Sequence, residues 1–203
     1  MEAAKLLVAS TNRGKVLEIQ ASLSGLLLEI QTLADIPPLS PYPEEGRTFS
    51  ENARGKSLYY SRASEALVLA EDSGLEIAAL AGAPGVFSAR FSGEAATDET
   101  NIEKVLGLMR AVPPERRQAR FVCCAVLSQR GRVITEIAGA AEGLITQEKR
   151  GKAGFGYDPI FFYPPLDKTF GQMPPREKNS VSHRGKALTV LRAFLERYLA
   201  GRT

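Results

Sequence analysis

Apolar positions along the 203-residue chain fall into short buried-type runs separated by amphipathic stretches, the rhythm of strands alternating with helices. Leu6, Leu7 and Val8 form the first run, and residues 5–9 read as a strand. Residues 13–25 follow with Val16, Ile19 and Leu23 at helical spacing, and residues 28–33 read as a second strand. The stretch PPLSPYPEEG (37–46) is a loop, because proline serves neither a central strand nor a helix interior. Thr48 to Glu51 has the T-x-x-E form of a capping box and opens a helix to about residue 64. ALVLAED (66–72) is an apolar run ending in two acids, a buried strand with a polar C-terminal end.

LAGAPGVFSARFSG (80–93), rich in Gly, Pro and Ser, reads as a long ordered loop. Residues 97–112 form a helix stopped by Pro113 and Pro114. From residue 119 to 145 the pattern is a hairpin, two strands around a Gln129-Arg130-Gly131 turn. GFGYDPIFFYPP gives a further loop and strand, and residues 184–200 a C-terminal helix with Leu188, Leu191, Leu195 and Leu199 on one side. Such alternation predicts an α/β domain with a mixed sheet and flanking helices, residues 1–203 forming one domain. Internal repeats and low-complexity segments are absent from the sequence.

Composition narrows the class. Hydrophobic residues make up 44% and charged residues 24%, as in ordinary globular proteins. The net charge of +3 comes from scattered Lys and Arg without a dense run, so no nucleic-acid partner is expected. No apolar stretch approaches bilayer length, and the N-terminal run is too short for a signal-peptide core, so no membrane partner and a cytoplasmic location are expected. Cys123 and Cys124 are neighbours on a strand and point to opposite faces, which reads as small buried hydrophobes in a reducing compartment.

Five segments carry candidate chemistry. ASTNRGK (9–15) ends a buried strand and opens a helix, where unpaired N–H groups and the dipole suit a phosphate. It is not a P-loop, since Ala9 and Val16 stand where that motif has its first glycine and its hydroxyl. Asn12 as a plain N-cap with Lys15 in solvent accounts for the stretch equally well. In EEGRTFSENARGK (44–56), Asn52 and Lys56 share a helix face behind Glu44, which taken alone is a capped helix with a solvated side. AEDSGLEI (70–77) sets Glu71 and Asp72 at the end of an apolar strand, where ligand sites of open α/β sheets collect. Carboxylates there suit Mg²⁺ with substrate phosphates. GFGYDPIFF (154–162) offers glycine-flanked aromatics for stacking a base, or a tight turn feeding a core. EKNSVSHRGKAL (177–188) holds the single histidine, His183, beside Arg184, with Lys178 ahead of them.

Taken in order, STNRGK, EEGRTFSENARGK, AEDSGLEIAALAGAPGVFSARFSG, GFGYDPIFF and EKNSVSHRGKAL resemble one family over nearly the whole chain. That family is the inosine/xanthosine triphosphate pyrophosphatases, the Ham1-like house-cleaning hydrolases. The resemblance implies two lobes around a long mixed sheet with the active site in the cleft between them, and a homodimer. It implies Mg²⁺-dependent cleavage of non-standard purine nucleoside triphosphates (ITP, dITP, XTP) to monophosphate and pyrophosphate. By the same resemblance, Ser10, Thr11, Asn12, Arg13, Gly14 and Lys15 take the triphosphate, with Asn52 and Lys56 beside them. Glu44 and Asp72 hold the metal. Asp72 accepts the proton with Glu71 next to it, and Ser73 touches substrate. Phe155, Gly156, Tyr157 and Asp158 take the base, joined by Lys178 and the His183-Arg184 pair. Ser10 where Thr is common, and Lys152 ahead of the aromatic run, are mild departures.

On this reading a water oriented by Asp72, with Glu71 beside it, attacks the α-phosphorus, and donors from His183, Arg184 or backbone N–H groups bond the 6-carbonyl of hypoxanthine or xanthine. Adenine's amino group would face those donors unpaired, a mismatch worth about 1–3 kcal/mol. Two alternatives stand beside it: a pyrophosphatase for modified pyrimidine nucleotides, and a nucleotide-binding regulator without catalysis. The regulator would not need acids at Glu44, Glu71 and Asp72.

Overall fold

A computed structural model describes residues 3–201. Three parallel strands open it: β1 (Ala4–Val8), β2 (Leu28–Thr32) and β3 (Leu67–Ile77). Parallel neighbours need crossovers; α1 (Arg13–Leu23) joins β1 to β2 and α2 (Phe49–Arg62) joins β2 to β3. After α3 (Asp98–Leu108) come β4 (Gln118–Gln129), β5 (Arg132–Ile145), β6 (Phe161–Tyr163) and β7 (Lys168–Thr169). Two helices close the chain, α4 (Pro175–Val181) and α5 (His183–Ala200). The seven strands form one sheet in the order β2-β1-β3-β4-β5-β6-β7, and β5, β6 and β7 pair antiparallel. This is the mixed α/β sheet that the alternation predicts.

The chain divides into two compact units. The first takes the stretch up to Asp72, Cys123–Gly139 and the stretch from Arg184 onward; the second takes Ser73–Val122 and Ala140–His183. In the first unit β1 and β3 are buried on both faces, as crossover helices require, while the edge strand β2 is only half-buried. Leu6, Val8, Leu67 and Leu69 pack with Ile19 and Leu23 of α1 and Leu188, Leu191 and Leu195 of α5. Their chain neighbours Leu7, Val68 and Ala70 point the other way, onto Tyr60 of α2. The second unit has its own core, built from Leu75, Ile77, Ile102, Val105, Phe121, Phe161 and Phe170. Beside it the buried Arg117 guanidinium donates to the carbonyls of Met109, Val112, Ile145 and Thr146.

Several boundaries differ from expectation. β3 does not end at the two acids but runs to Ile77, because Leu75 and Ile77 continue the buried alternation into the second core. Thr48 caps α2 by accepting the Glu51 N–H at 3.1 Å, yet Glu51 reaches back to the N–H of Arg47 instead of the cap residue, so the box is only half formed. α3 stops at Leu108, five residues before Pro113, and α4 has no forerunner in the sequence reading. The hairpin turn is the pair Arg130-Gly131, both at positive φ (49° and 71°), as a two-residue connection of twisted strands requires. Among the described residues no helix is long and apolar enough to cross a membrane.

Candidate active site

Because β3 continues past the acids, the period of two assigns them to different faces. Glu71 follows Leu67 and Leu69 onto the side covered by α1 and α5. Asp72 follows Val68 and Ala70 onto the side covered by α2. Both are buried. The two carboxylates expected beside one water therefore have different surroundings.

Glu71 sits in a closed ion network. Arg184 grips it with two nitrogens, Nε to Oε2 at 2.8 Å and Nη2 to Oε1 at 3.0 Å. Lys15 Nζ lies 3.1 Å from Oε1, and the Cys123 thiol donates to Oε2 at 3.2 Å. The remaining fork nitrogen of Arg184 donates to Glu18 at 2.6 Å. Burial alone would push the Glu71 carboxyl up; the Arg184 and Lys15 charges, with bonds from Arg184 and Cys123, outweigh it and hold the group well below the usual carboxylate range. The thiol goes the opposite way, raised by burial and by the Glu71 charge beside it. A carboxylate so fully engaged is poorly suited to take a proton. Arg184, expected to read a base carbonyl, here serves carboxylates. Glu18 and Cys123 were missed by the sequence reading. Glu18 stands three positions after Lys15 on one helix face, and Cys123 shares strand parity with the buried Ala125 and Leu127.

On the other face, Asp72 Oδ2 accepts from the Asn52 amide at 2.9 Å, and Asn52 Oδ1 accepts the Gly46 N–H at 2.7 Å. Asn52 therefore ties the loop that carries Glu44 to the strand that carries Asp72. Gly46 has to be glycine for this approach, since a Cβ there would meet Asn52 Oδ1 at 2.5 Å. Lys56, one turn further along α2, pairs with Glu44. Burial raises the Asp72 carboxyl above its ordinary value; Asn52 and Lys15 pull it down and the nearby Glu44 charge pushes it up again.

Two neighbouring carboxylates form an incomplete shell. Among the described residues no group of three or more His, Cys, Asp or Glu side chains is placed to hold an ion alone. That donor set fits Mg²⁺, which keeps several waters and takes one or two carboxylates together with substrate phosphates.

At the start of α1, Asn12 is the N-cap and accepts the Lys15 N–H at 3.0 Å, while Ser10 accepts the Asn12 N–H at 3.2 Å. Asn12 is the cap that the plain N-cap reading expects, but Lys15 is not in solvent: its ammonium turns toward Glu71, while Thr11 and Arg13 are exposed and Gly14 half-buried. Ser73 follows Asp72 on β3, half-buried, as a residue of the second unit.

The second unit organises the aromatic segment around Asp158. Its Oδ2 accepts the Phe155 N–H at 2.9 Å and the Lys178 ammonium at 2.6 Å. Lys178, supplied by α4, also lies 4.7 Å from the centre of the Phe155 ring. Gly154, at φ 77°, lets the loop close on Asp158, because a Cβ there would fall 2.0 Å from its carboxylate. Gly156 donates to Asp98 at 2.7 Å, and the buried Tyr157 hydroxyl donates to the Ser88 carbonyl at 2.8 Å. Phe155 keeps a half-buried ring. Tyr157 goes into the core, as the tight-turn reading has it, and Phe155 stays at its edge. His183 is buried with its ring stacked on Phe121, centroids 4.6 Å apart and planes at 10°.

This arrangement has relatives. The model of the Ham1 family matches residues 6–194. A protein named dITP/XTP pyrophosphatase from Desulfotalea psychrophila is 44% identical over 93% of this chain and 83% of its own length. One of the same name from Bacillus subtilis is 42% identical over 94% and 96%. Among solved structures, the Staphylococcus aureus Ham1 protein superposes with a TM-score of 0.86 at 39% identity, covering 96% of this chain and 99% of that one. With the family's model spanning nearly all of the sequence and its solved members sharing the fold, the chain belongs to the Ham1 family.

Proposed function

We propose that the chain hydrolyses non-standard purine nucleoside triphosphates, ITP, dITP and XTP, to the monophosphate and pyrophosphate. The observation that carries this is the first unit's cluster, where Glu44, Asn52, Lys56 and Asp72 gather on one face of β3 while Lys15 stands at the start of α1. Relatives named dITP/XTP pyrophosphatase, matched over nearly their full length, support the same reading.

Mg²⁺ held by Glu44 and Asp72 would neutralise phosphate charge and charge developing at the α-phosphorus. Asp72 orients the attacking water and takes its proton. Lys56, paired with Glu44, would be placed to meet a phosphate oxygen once Glu44 serves the ion. Lys15 and the N–H groups at the start of α1 steady the pyrophosphate. Glu71 does not touch the water; it anchors Lys15 and keeps that ammonium charged. Phe155 offers its ring to the purine, and Lys178 with Asp158 sets the loop that presents it. A homodimer in the cytoplasm belongs to the same proposal.

The test is a product assay with ITP, XTP, dUTP, GTP and ATP in Mg²⁺. Pyrophosphate released from ITP and XTP in preference to ATP is the expected result. Single phosphate, pyrophosphate chiefly from dUTP, or no product would overturn the proposal.

A further inference from the structure

The loop that carries Glu44 is laid along α2 at four successive points. Ser40 accepts from the Tyr59 hydroxyl at 3.0 Å. Tyr42 lies on the backbone of Gly55 and tilts against Tyr59, ring centroids 5.8 Å apart. Glu44 pairs with Lys56, and Gly46 bonds Asn52. Every second residue of the loop meets the helix, at Tyr59, Gly55, Lys56 and Asn52 in turn, positions spaced i, i+3, i+4 and i+7 that share one face. Pro41 and Pro43 occupy alternate positions, where they stiffen the extended segment and bring no N–H of their own.

Gly55 is the point at which this fit is most demanding. A Cβ at that position would stand 1.9 Å from the Tyr42 hydroxyl and 2.5 Å from the ring carbon bearing it. A glycine in the middle of a 14-residue helix is costly relative to alanine, so its presence calls for a reason. The Tyr42 ring supplies one.

We propose that Gly55 is a positioning residue. By admitting Tyr42 it lets the 40–46 loop close on α2, and so fixes Glu44 beside Asp72 before any ion arrives. The inference rests on the metal-binding role given above to those two carboxylates. It adds a device, loop against helix, that neither carboxylate reveals by itself.

Hydrogen exchange at the Gly46 and Arg47 amides tests it directly, because both donate to α2 side chains, Asn52 and Glu51. In Gly55→Ala these amides are expected to exchange about tenfold faster. The Mg²⁺ concentration for half-maximal ITP turnover should rise about tenfold, as for other residues that support metal ligands. The ratio of ITP to ATP turnover stays as in the parent. Gly107→Ala on α3, where a Cβ meets nothing, is the control and changes none of these. In the pair Tyr42→Ala with Gly55→Ala, the added methyl has no ring to strike, so the double variant should be no worse than Tyr42→Ala alone. Unchanged exchange in Gly55→Ala, or a double variant as impaired as the two single effects combined, overturns the inference. A parent chain that releases no pyrophosphate from ITP overturns the functional reading instead, and the exchange result still decides whether Gly55 holds the loop.

Discussion

Asp72→Asn is expected to lower pyrophosphate release from ITP by about 10²–10⁴-fold, the range for removing a positioned general base, while the metal-free protein melts at a higher temperature than the parent. The two effects have opposite signs for one reason. Asp72 is buried, and its carboxyl is raised by that burial. A raised acid in the folded state contributes stability that is fully present below its unfolded value, about 3.9, and is lost as pH rises through the folded value. At neutral pH the charge is therefore carried at a loss. Asparagine removes the charge and can still accept from Asn52. Turnover measured beside a thermal melt checks both halves. A variant that keeps near-full activity at saturating Mg²⁺ would remove Asp72 from the chemistry, and one that melts lower would show that its charge is compensated by more than Asn52 and Lys15.

Arg184→Met is expected to destabilise the chain by about 3–5 kcal/mol, because it leaves the Glu71 charge buried with only Lys15 and Cys123 for partners. At roughly 2–4 °C per kcal/mol for a protein of this size, the loss is easily seen in a melting scan. Glu71→Gln combined with Arg184→Met should recover part of it, since the fully buried carboxylate charge is then gone while the less buried Lys15 and Glu18 lose their partners. The pH dependence distinguishes this from simple loss of packing. In the parent, Glu71 is depressed, so its contribution is present above its unfolded value near 4.3 and is lost only as pH falls through the much lower folded value. Without Arg184, the desolvation that the guanidinium outweighs would dominate. The variant should then gain stability on acidification below neutral pH, where the parent shows no gain from this group. Turnover of whatever folds should fall chiefly through a higher KM, as Glu71, no longer gripped by Arg184, places Lys15 less firmly.

Much of this was readable in the chain. Strand, helix and hairpin existence followed from periodicity, as did the Asn12 and Thr48 caps and the side of α5 that carries Leu188, Leu191 and Leu195. The failures have specific causes. Placing a strand end at Asp72 relied on polarity, but a strand can carry buried carboxylates where cations or amides meet them, and here Arg184 meets Glu71 from 113 residues further on and Asn52 meets Asp72 from 20 residues before. Once β3 is seen to reach Ile77, the rule that separates Cys123 from Cys124 also separates Glu71 from Asp72. The carboxylate partners of Arg184, Glu18 and Glu71, went unseen because they lie far away in sequence. The hold of α2 on the 40–46 loop was invisible for a related reason: Gly55 reads as a weak point in a helix until Tyr42 is seen lying on it.

The stacking of His183 on Phe121 gives the molecule a built-in spectroscopic probe. A nearly parallel phenyl ring shields the protons above its face, and these two centroids are 4.6 Å apart. The chain holds one histidine, so the displaced imidazole C–H resonances would need no assignment experiment. Following them while nucleotide or Mg²⁺ is titrated would report, in a one-dimensional spectrum, whether the aromatic packing of the second unit shifts as ligand binds.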